Sequence, residues 1–486
     1  MTLKSKISGF FKSIRSAEII LQAPKASAPE HTQSNVDCQT ASGVAKRTRI
    51  FSIATRNEVS LGKAWASNTV NATIFRHHGI LTIGDAQYTA FYASEKCIRI
   101  VKRRAGYELE SYDLLGSYTL RDAHNSISLG YDKNLCLHIT YDHHGTRLRY
   151  RRATKPESID DWTAELVMTG QHEDKVTYPT FINPSHGYPL CILYRDGIWN
   201  KGCARIKTYD EATQSWADRE TPILSGQDEH PWTSNAYWNH PVVGVDGTLH
   251  LSYVWRTDSI GPEQRINNMN VCYARSADNG LSWETSLGQP YKLPITPVNT
   301  ETVHAVSPGN NLMNQCSMAL DSTGAPHIAF YANDANGIPQ YFHLWQKDRA
   351  WLVVQVGNRE TGFNLEGAGT LQLPISRPDI VLDKEDNAYV IYRGDLTGNK
   401  MVIQASASPE YQSFPENELI IWDVDLGSAE PVIDRTNWSE NSILTLYLQY
   451  AEQKNGDIKT DSKYSDAVLV DVAVTHSDFI NSSSSK

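Results

Sequence analysis

From residue 65 onward the chain alternates short apolar runs with polar punctuation. The runs are rich in Val, Ile, Thr, Tyr and Trp, and clusters of Gly, Asp and Asn separate them. This pattern predicts strands broken by tight turns, and convincing long helical periodicity is missing. One unit recurs. A strand opens, a turn built on Asp, Gly or Asn follows, and a second strand ends on Tyr or Trp plus a polar residue. The first clear copy opens at His124, turns at Asp132-Lys133-Asn134 and returns through Leu137-His138-Ile139-Thr140-Tyr141 to His144. Later copies run from Tyr178 to Arg195, from His240 to Arg256, from Asn314 to Asn333 and from Arg377 to Arg393.

Each interval between openings leaves room for two further strands, which makes a four-stranded unit with generous loops. An earlier unit fits residues 68–115, with Asn71–Phe75 as one strand and Gln87–Tyr92 as the next, and a last one fits residues 430–475. The total is seven. A sheet this long must close or stack to remove its edges, and radial repetition does so better than an array of sandwiches. The expected fold is all-β, a seven-bladed β-propeller over residues 49–480. Residues 1–48 are expected to be a leader and linker, helical or disordered, and residues 481–486 a disordered tail. The stretch Ser276-Ala277-Asp278-Asn279-Gly280-Leu281-Ser282-Trp283 is an Asp-box, in which Asp and Gly make a hairpin turn and Trp packs beneath it. It speaks for architecture, not chemistry.

Composition narrows the function. A formal net charge of -10 argues against a general nucleic-acid binder. It leaves room for an anionic substrate, because a few Arg in a pocket outweigh the mean field at short range. No run of 18 apolar residues occurs, so no membrane span is expected. The basic start carries only Ile19-Ile20-Leu21 as an apolar run, which is no signal peptide; this favours a cytoplasmic location over a secreted one. The seven Cys show no close-spaced framework and read as buried free thiols. A monomer is expected.

The hairpin geometry gathers the candidate chemistry. In an antiparallel hairpin, the start of one strand and the end of the next lie at the same end. The residues expected at one pole are therefore His124, His144, Tyr178, Arg195, His240, Arg256, Asn314, Asn333, Arg377 and Arg393. His138, His250 and His327 fall at the opposite end and read as a repeated packing feature. No cofactor is required by this set, although a structural zinc or calcium ion has room in the reading. Arg recognises a carboxylate by a planar two-point fork. The pole set holds no Asp or Glu, which speaks against a paired-carboxylate hydrolase. His, Tyr and Arg together suit β-elimination from a uronic acid. Arg neutralises the carboxylate beside the acidic carbon, one side chain removes the proton, and another protonates the departing oxygen.

The same residues carry a family resemblance. Asp122-Ala123-His124-Asn125, Tyr141-Asp142-His143-His144, Leu148–Arg152, Met168-Thr169-Gly170, Val176–Phe181, Tyr194-Arg195-Asp196-Gly197, Trp255-Arg256 and Asn314-Gln315 resemble, in this order, the propellers with BNR-4 repeats. That family includes ulvan lyases and rhamnose-glucuronate lyases. The resemblance implies that His124 and Tyr178 supply base and acid, that His144 assists, and that Arg195 neutralises the uronate. It further implies that Arg256 and Arg377 grip an acidic polysaccharide or oligosaccharide. The competing readings are a non-catalytic carbohydrate-binding propeller, a sialidase-like glycoside hydrolase suggested by the Asp-box and the Arg-rich pole, and a protein-interaction propeller.

Overall fold

Seven antiparallel sheets follow one another along the chain, as the hairpin repeat predicts. The computed structural model describes residues 47–199, 201–226, 235–257, 267–367, 369–458 and 461–480. Residues 1–46 of the leader expected over 1–48, and the tail over 481–486, lie outside the described residues; Arg47 and Thr48 already belong to a strand, and Arg47–Ile480 form one unit. Blade 1 is built from Ile80–Ile83, Ala86–Ser94, Cys97–Arg104 and Glu110–Leu115. Blade 2 uses Ser128–Tyr131, Leu137–Thr140 and Tyr150–Arg152. Blade 3 is ordered around Val176–Ile182, Cys191–Ile198 and Lys201–Asp210, and blade 4 around Leu249–Arg256 and Asn268–Ser276. Blades 5 and 6 run from Ser317 to Val356 and from Asp379 to Trp422, each in simple sequential order.

Blade 7 closes the ring. Its inner strands, Ile433–Asp434 and Leu444–Gln449, are followed by Tyr464–Ile480, which pairs along its length with Arg47–Trp65. The outermost strand of the last blade thus comes from the start of the described chain. This removes the open edge that a linear array would leave. Blade 1 differs from expectation in its inner strand. Asn71–Phe75 forms turns rather than a strand, and Ile80–Ile83 takes the inner place. The physical reason is local: Asn71 donates to the carbonyls of Trp65 and Tyr92 (3.2 and 3.0 Å), and its side-chain oxygen accepts from Tyr92 N–H at 2.9 Å, so it folds the backbone around itself.

The core lies between blades. Leu193 and Ile206 of blade 3, Leu251 and Tyr253 of blade 4, and Ile328 and Leu344 of blade 5 belong to one buried cluster. Sandwiched between neighbours, inner strands are buried on both faces: all seven residues of Val176–Ile182 are buried. Polar stitches cross from blade to blade at the inner strands. Phe181 N–H donates to Ser128 Oγ, Cys316 N–H to Asn239 Oδ1 and Ile380 N–H to Ser317 Oγ. In the Asp-box, Asp278 accepts from Ser282 N–H at 2.8 Å, and Trp283 is 1% exposed with its indole N–H on Gly280 O. The six described cysteines are free thiols; Cys38 lies outside the described residues.

Candidate active site

One cavity of about 650 Å³ opens where the blade ends converge, and it is lined by His124, His144, Tyr178, Arg195, Arg256, Asn314 and Arg377. Seven of the ten residues expected at the pole therefore meet. Three do not line it. His240 packs on His77 and faces a separate small pocket with His78, Asp379 and Arg435. Asn333, at the end of the strand Pro326–Asn333, accepts from Asn311 of the segment ahead of its blade at 2.8 Å. Arg393 is 1% exposed and donates to the carbonyls of Leu373, Pro374 and Ala429, which makes it a clamp for the chain segments around it.

The two histidines are held as a pair. Their rings stack with centroids 4.1 Å apart. Asp122, just ahead of blade 2, accepts from His124 Nδ1 at 2.6 Å through one oxygen and from His144 Nδ1 through the other. A carboxylate cannot donate, so each Nδ1 supplies the proton of its bond to Asp122. Burial alone would raise the Asp122 carboxyl, but the two imidazoles outweigh it and hold it well below the usual carboxylate range. His124 is lowered from the ordinary histidine value, chiefly by burial, with Asp122 pulling against it. It is a neutral imidazole at neutral pH. The adjacent His143 is different: it is fully buried and bonded to the backbone of Arg149, so it belongs to the blade.

Tyr178 sits on a β-bulge. The pairing of Val176–Ile182 with Cys191–Ile198 slips between Thr177 and Thr180, and Tyr178 takes φ of 55°. A left-handed backbone is costly for an aromatic residue, and bulges of this kind re-aim a side chain. Its ring lies edge-on to Phe75 and 5.7 Å from His124, with the Arg195 guanidinium 5.2 Å over it. Burial first, then Tyr237, raise the Tyr178 hydroxyl; Arg195, Arg256 and Arg377 act in the opposite sense without overcoming them. The phenol is thus protonated at neutral pH.

The arginines differ in their partners. Arg377 is buried against Glu430, which accepts from its Nε at 2.8 Å and its backbone N–H at 3.0 Å. Arg256 donates to the neutral side chains of Asn268 and Asn314 (3.0 and 2.8 Å). Arg195 is 2% exposed; among the described residues it donates only to Thr177 Oγ1 (3.1 Å), and its Nε has no partner. Among the described residues, neither Arg195 nor Arg256 is paired with a carboxylate.

Several site groups escaped the repeat pattern. Asp457 and Thr370 come from loops, and Thr370 donates to Asp457 at 3.0 Å while lying 3.3 Å from His124 Nδ1. Gly369 has φ of 74°, and a Cβ there would meet an Asp457 oxygen at 2.8 Å. Trp199, 59% exposed, stands at the wall of the cavity. The expectation of a pole without acids is corrected by Asp122 and Asp457. Asp122 stands two residues before His124 and was open to view; Asp457 has no repeat-equivalent position. Asp122, His124, His144 and Asp457 bring ligand atoms within 4.8 Å of one another, and this group could hold a metal ion. His138, His250 and His327 sit in three different blades. Their Nδ1 atoms are bonded to Tyr150, Tyr273 and His343 respectively, each a residue of the next strand of the same blade.

Residues 86–359 match the BNR-4 family, described as BNR repeat-containing family members. The chain belongs to this family. Among solved structures, the fold is similar to polysaccharide lyase Uly1, at 14% identity and a TM-score of 0.63, over 87% of this chain and 99% of that one. It is also similar to a polysaccharide lyase, PL25 ulvan lyase, bound to -[GlcA(1-4)Rha3S]-, at 14% identity and a TM-score of 0.58, over 83% and 98%. No curated protein matches the chain. In this BNR-4 propeller no helix of the described residues is long and apolar enough to cross a membrane.

Proposed function

We propose that this protein is a lyase that cleaves a glycosidic bond at a uronic acid by β-elimination. The observation that carries the reading is the meeting, in one cavity, of two histidines sharing Asp122, a protonated tyrosine and an arginine that has no carboxylate partner among the described residues. The hydrogen on C5 of a uronate is hardly acidic while the neighbouring carboxylate is fully charged. Arg195, buried and without a carboxylate partner among the described residues, offers that carboxylate its fork and stabilises the charge that spreads onto it as the proton leaves. His124 Nε2 takes the proton, with Asp122 stabilising the imidazolium that forms. The electron pair becomes the C4–C5 double bond, the C4–O bond breaks, and Tyr178 donates its proton to the departing oxygen. His144 shares Asp122 and flanks His124, and Arg256 holds the substrate from the far wall. The structural likeness to polysaccharide lyases agrees with this reading.

A retaining hydrolase would use two free carboxyl groups about 5 Å apart. Asp122 and Asp457 approach that spacing, but both Asp122 oxygens are occupied by imidazole N–H groups. Among the described residues Tyr178 also has no carboxylate partner, which a sialidase-like site needs. The test is incubation with uronate polysaccharides while following the ultraviolet absorbance of the unsaturated product. Appearance of that absorbance, and its loss in Tyr178→Phe with calorimetric binding retained, is the expected result. Binding without any product on the whole panel would move the assignment to a sugar-binding propeller.

A further inference from the structure

A second cavity, of about 620 Å³, adjoins the first, and His144 lines both. Its other walls include Asp122, Arg121, Arg147, Leu166 and Val167. The acids that face it are already engaged. Asp122 holds the histidine pair, while Asp142 and Glu165 both accept from Arg149, the latter at 2.8 Å, and Arg149 lies over the rings of Tyr118 and Tyr141. Arg121 and Arg147 are exposed, and among the described residues neither has an ion-pair or hydrogen-bond partner. Their charges are the uncompensated ones on this surface. Beside them Leu166 and Val167 expose 39% and 56% of their area. Free cations next to an apolar ledge suit an anionic sugar, which has a charged substituent and a C–H face.

We infer that this second cavity is a subsite for a further anionic sugar of the same chain, so that the substrate is a polyanion running past His144 with acidic groups in both cavities. The inference rests on the uronate reading of the first cavity and adds the length and charge pattern of its substrate. A carboxylate and a sulfate ester present the same oxygen-rich anion to Arg. The repeat of the substrate therefore decides which one sits there.

The test uses the full chain carrying Tyr178→Phe, so that nothing is cleaved, and compares it with the same protein carrying Arg121→Gln and Arg147→Gln. Both positions are exposed, and surface changes of this kind leave the fold intact. The probes are an oligoglucuronate octasaccharide, a -[GlcA(1-4)Rha3S]- octasaccharide and the disaccharide of each, titrated by calorimetry at two salt concentrations. The ratio of octasaccharide to disaccharide affinity is expected to fall about tenfold, the equivalent of two exposed charge pairs, and its salt dependence to weaken. A fall with the oligoglucuronate identifies a carboxylate at the subsite; a fall confined to the sulfated chain identifies a sulfate. An unchanged ratio for both chains overturns the subsite and leaves the first cavity standing. If neither octasaccharide binds the Tyr178→Phe protein, the uronate reading falls, and this inference with it.

Discussion

Asp122→Asn separates a histidine pair that does chemistry from one that only packs. The aspartate accepts from both Nδ1 atoms, one through each oxygen. Asparagine is nearly isosteric but has one acceptor and one donor. It can keep only one imidazole in the native tautomer; the other must turn its Nδ1 lone pair toward the amide and move its proton to Nε2. That ring loses the lone pair it presents to the cavity. The imidazolium formed in the reaction also loses the negative charge that stabilises it. Positioned general bases contribute about 10²–10⁴-fold, so kcat is expected to fall by that range, equivalent to about 3–5 kcal/mol of barrier. Arg195 and Arg256 are untouched, and KM should move by less than about threefold.

The pH profile gives a readout that a merely structural role would not move. Asp122 is the main group raising His124, against burial and His144, which lower it. Removing the charge lowers the His124 value further. The acidic limb of kcat/KM, which reports protonation of the base in the free enzyme, should therefore shift to lower pH. Steady-state kinetics on the substrate found in the panel, at closely spaced pH values, supplies both numbers. A variant with kcat within twofold of the parent, or a loss lying wholly in KM, would refute this account of Asp122 and the histidine pair.

Other changes test the scaffold. Glu430→Gln strands the Arg377 charge in the interior, since Arg377 and Glu430 are 5% and 3% exposed; a loss of about 3–5 kcal/mol in denaturant unfolding is expected, and a change under about 1 kcal/mol would show that the pair is not the staple it looks to be. Trp283→Ala empties the space beneath the Asp-box turn and should cost about 3–5 kcal/mol by the same measurement. Stability should also decline as pH falls. His143 and His250 are lowered by burial from 6.5 to about 4, so between those values the unfolded chain binds protons that the folded chain refuses. Their contribution is fully present above pH 6.5 and is lost on the way down to about 4, up to roughly 3 kcal/mol each. Asp321, lowered to about 2 from 3.8 despite its burial, chiefly by its bond to His327, acts only below that window. A denaturation midpoint that stays flat between pH 7 and 4.5 would contradict the histidine term.

The blade pattern was legible because each hairpin carries its own turn chemistry. Asp246-Gly247 and Asp321 to Gly324 announce turns with no help from the rest of the fold, and antiparallel pairing then fixes which residues share an end. That is why His124, Tyr178, Arg195 and Arg256 could be placed together across three blades. The closing strand was not legible. Arg47–Trp65 pairs with Tyr464–Ile480, and a pairing of such sequence separation leaves no local mark. The turn at Asn71–Phe75 read as a strand because its apolar residues, Ile74 and Phe75, pack into the core beside the cavity. Asp457 and Thr370 arrive on loops, whose path is set by tertiary contacts such as the Thr370 to Asp457 bond.

The arginines show what burial and residue type alone leave undecided. Arg377, Arg393 and Arg195 are all nearly fully buried, and each belongs to a hairpin that ends at this pole. Their environments divide them. The Arg377 charge is cancelled by Glu430, and the Arg393 donors are spread over backbone carbonyls, so a substrate carboxylate would have to compete with partners already in place. Among the described residues, Arg195 has the Thr177 hydroxyl for its only hydrogen-bond partner, lies over the Tyr178 ring, and has a buried Nε with no partner. Burying an unpaired cation carries a heavy desolvation cost. A carboxylate entering the cavity relieves that cost, whereas at Arg377 it would add a second anion beside Glu430. On the proposed reading, the affinity for an acidic sugar is therefore expected to reside at Arg195, assisted by Arg256, with the ion pair of Arg377 holding the wall of the cavity.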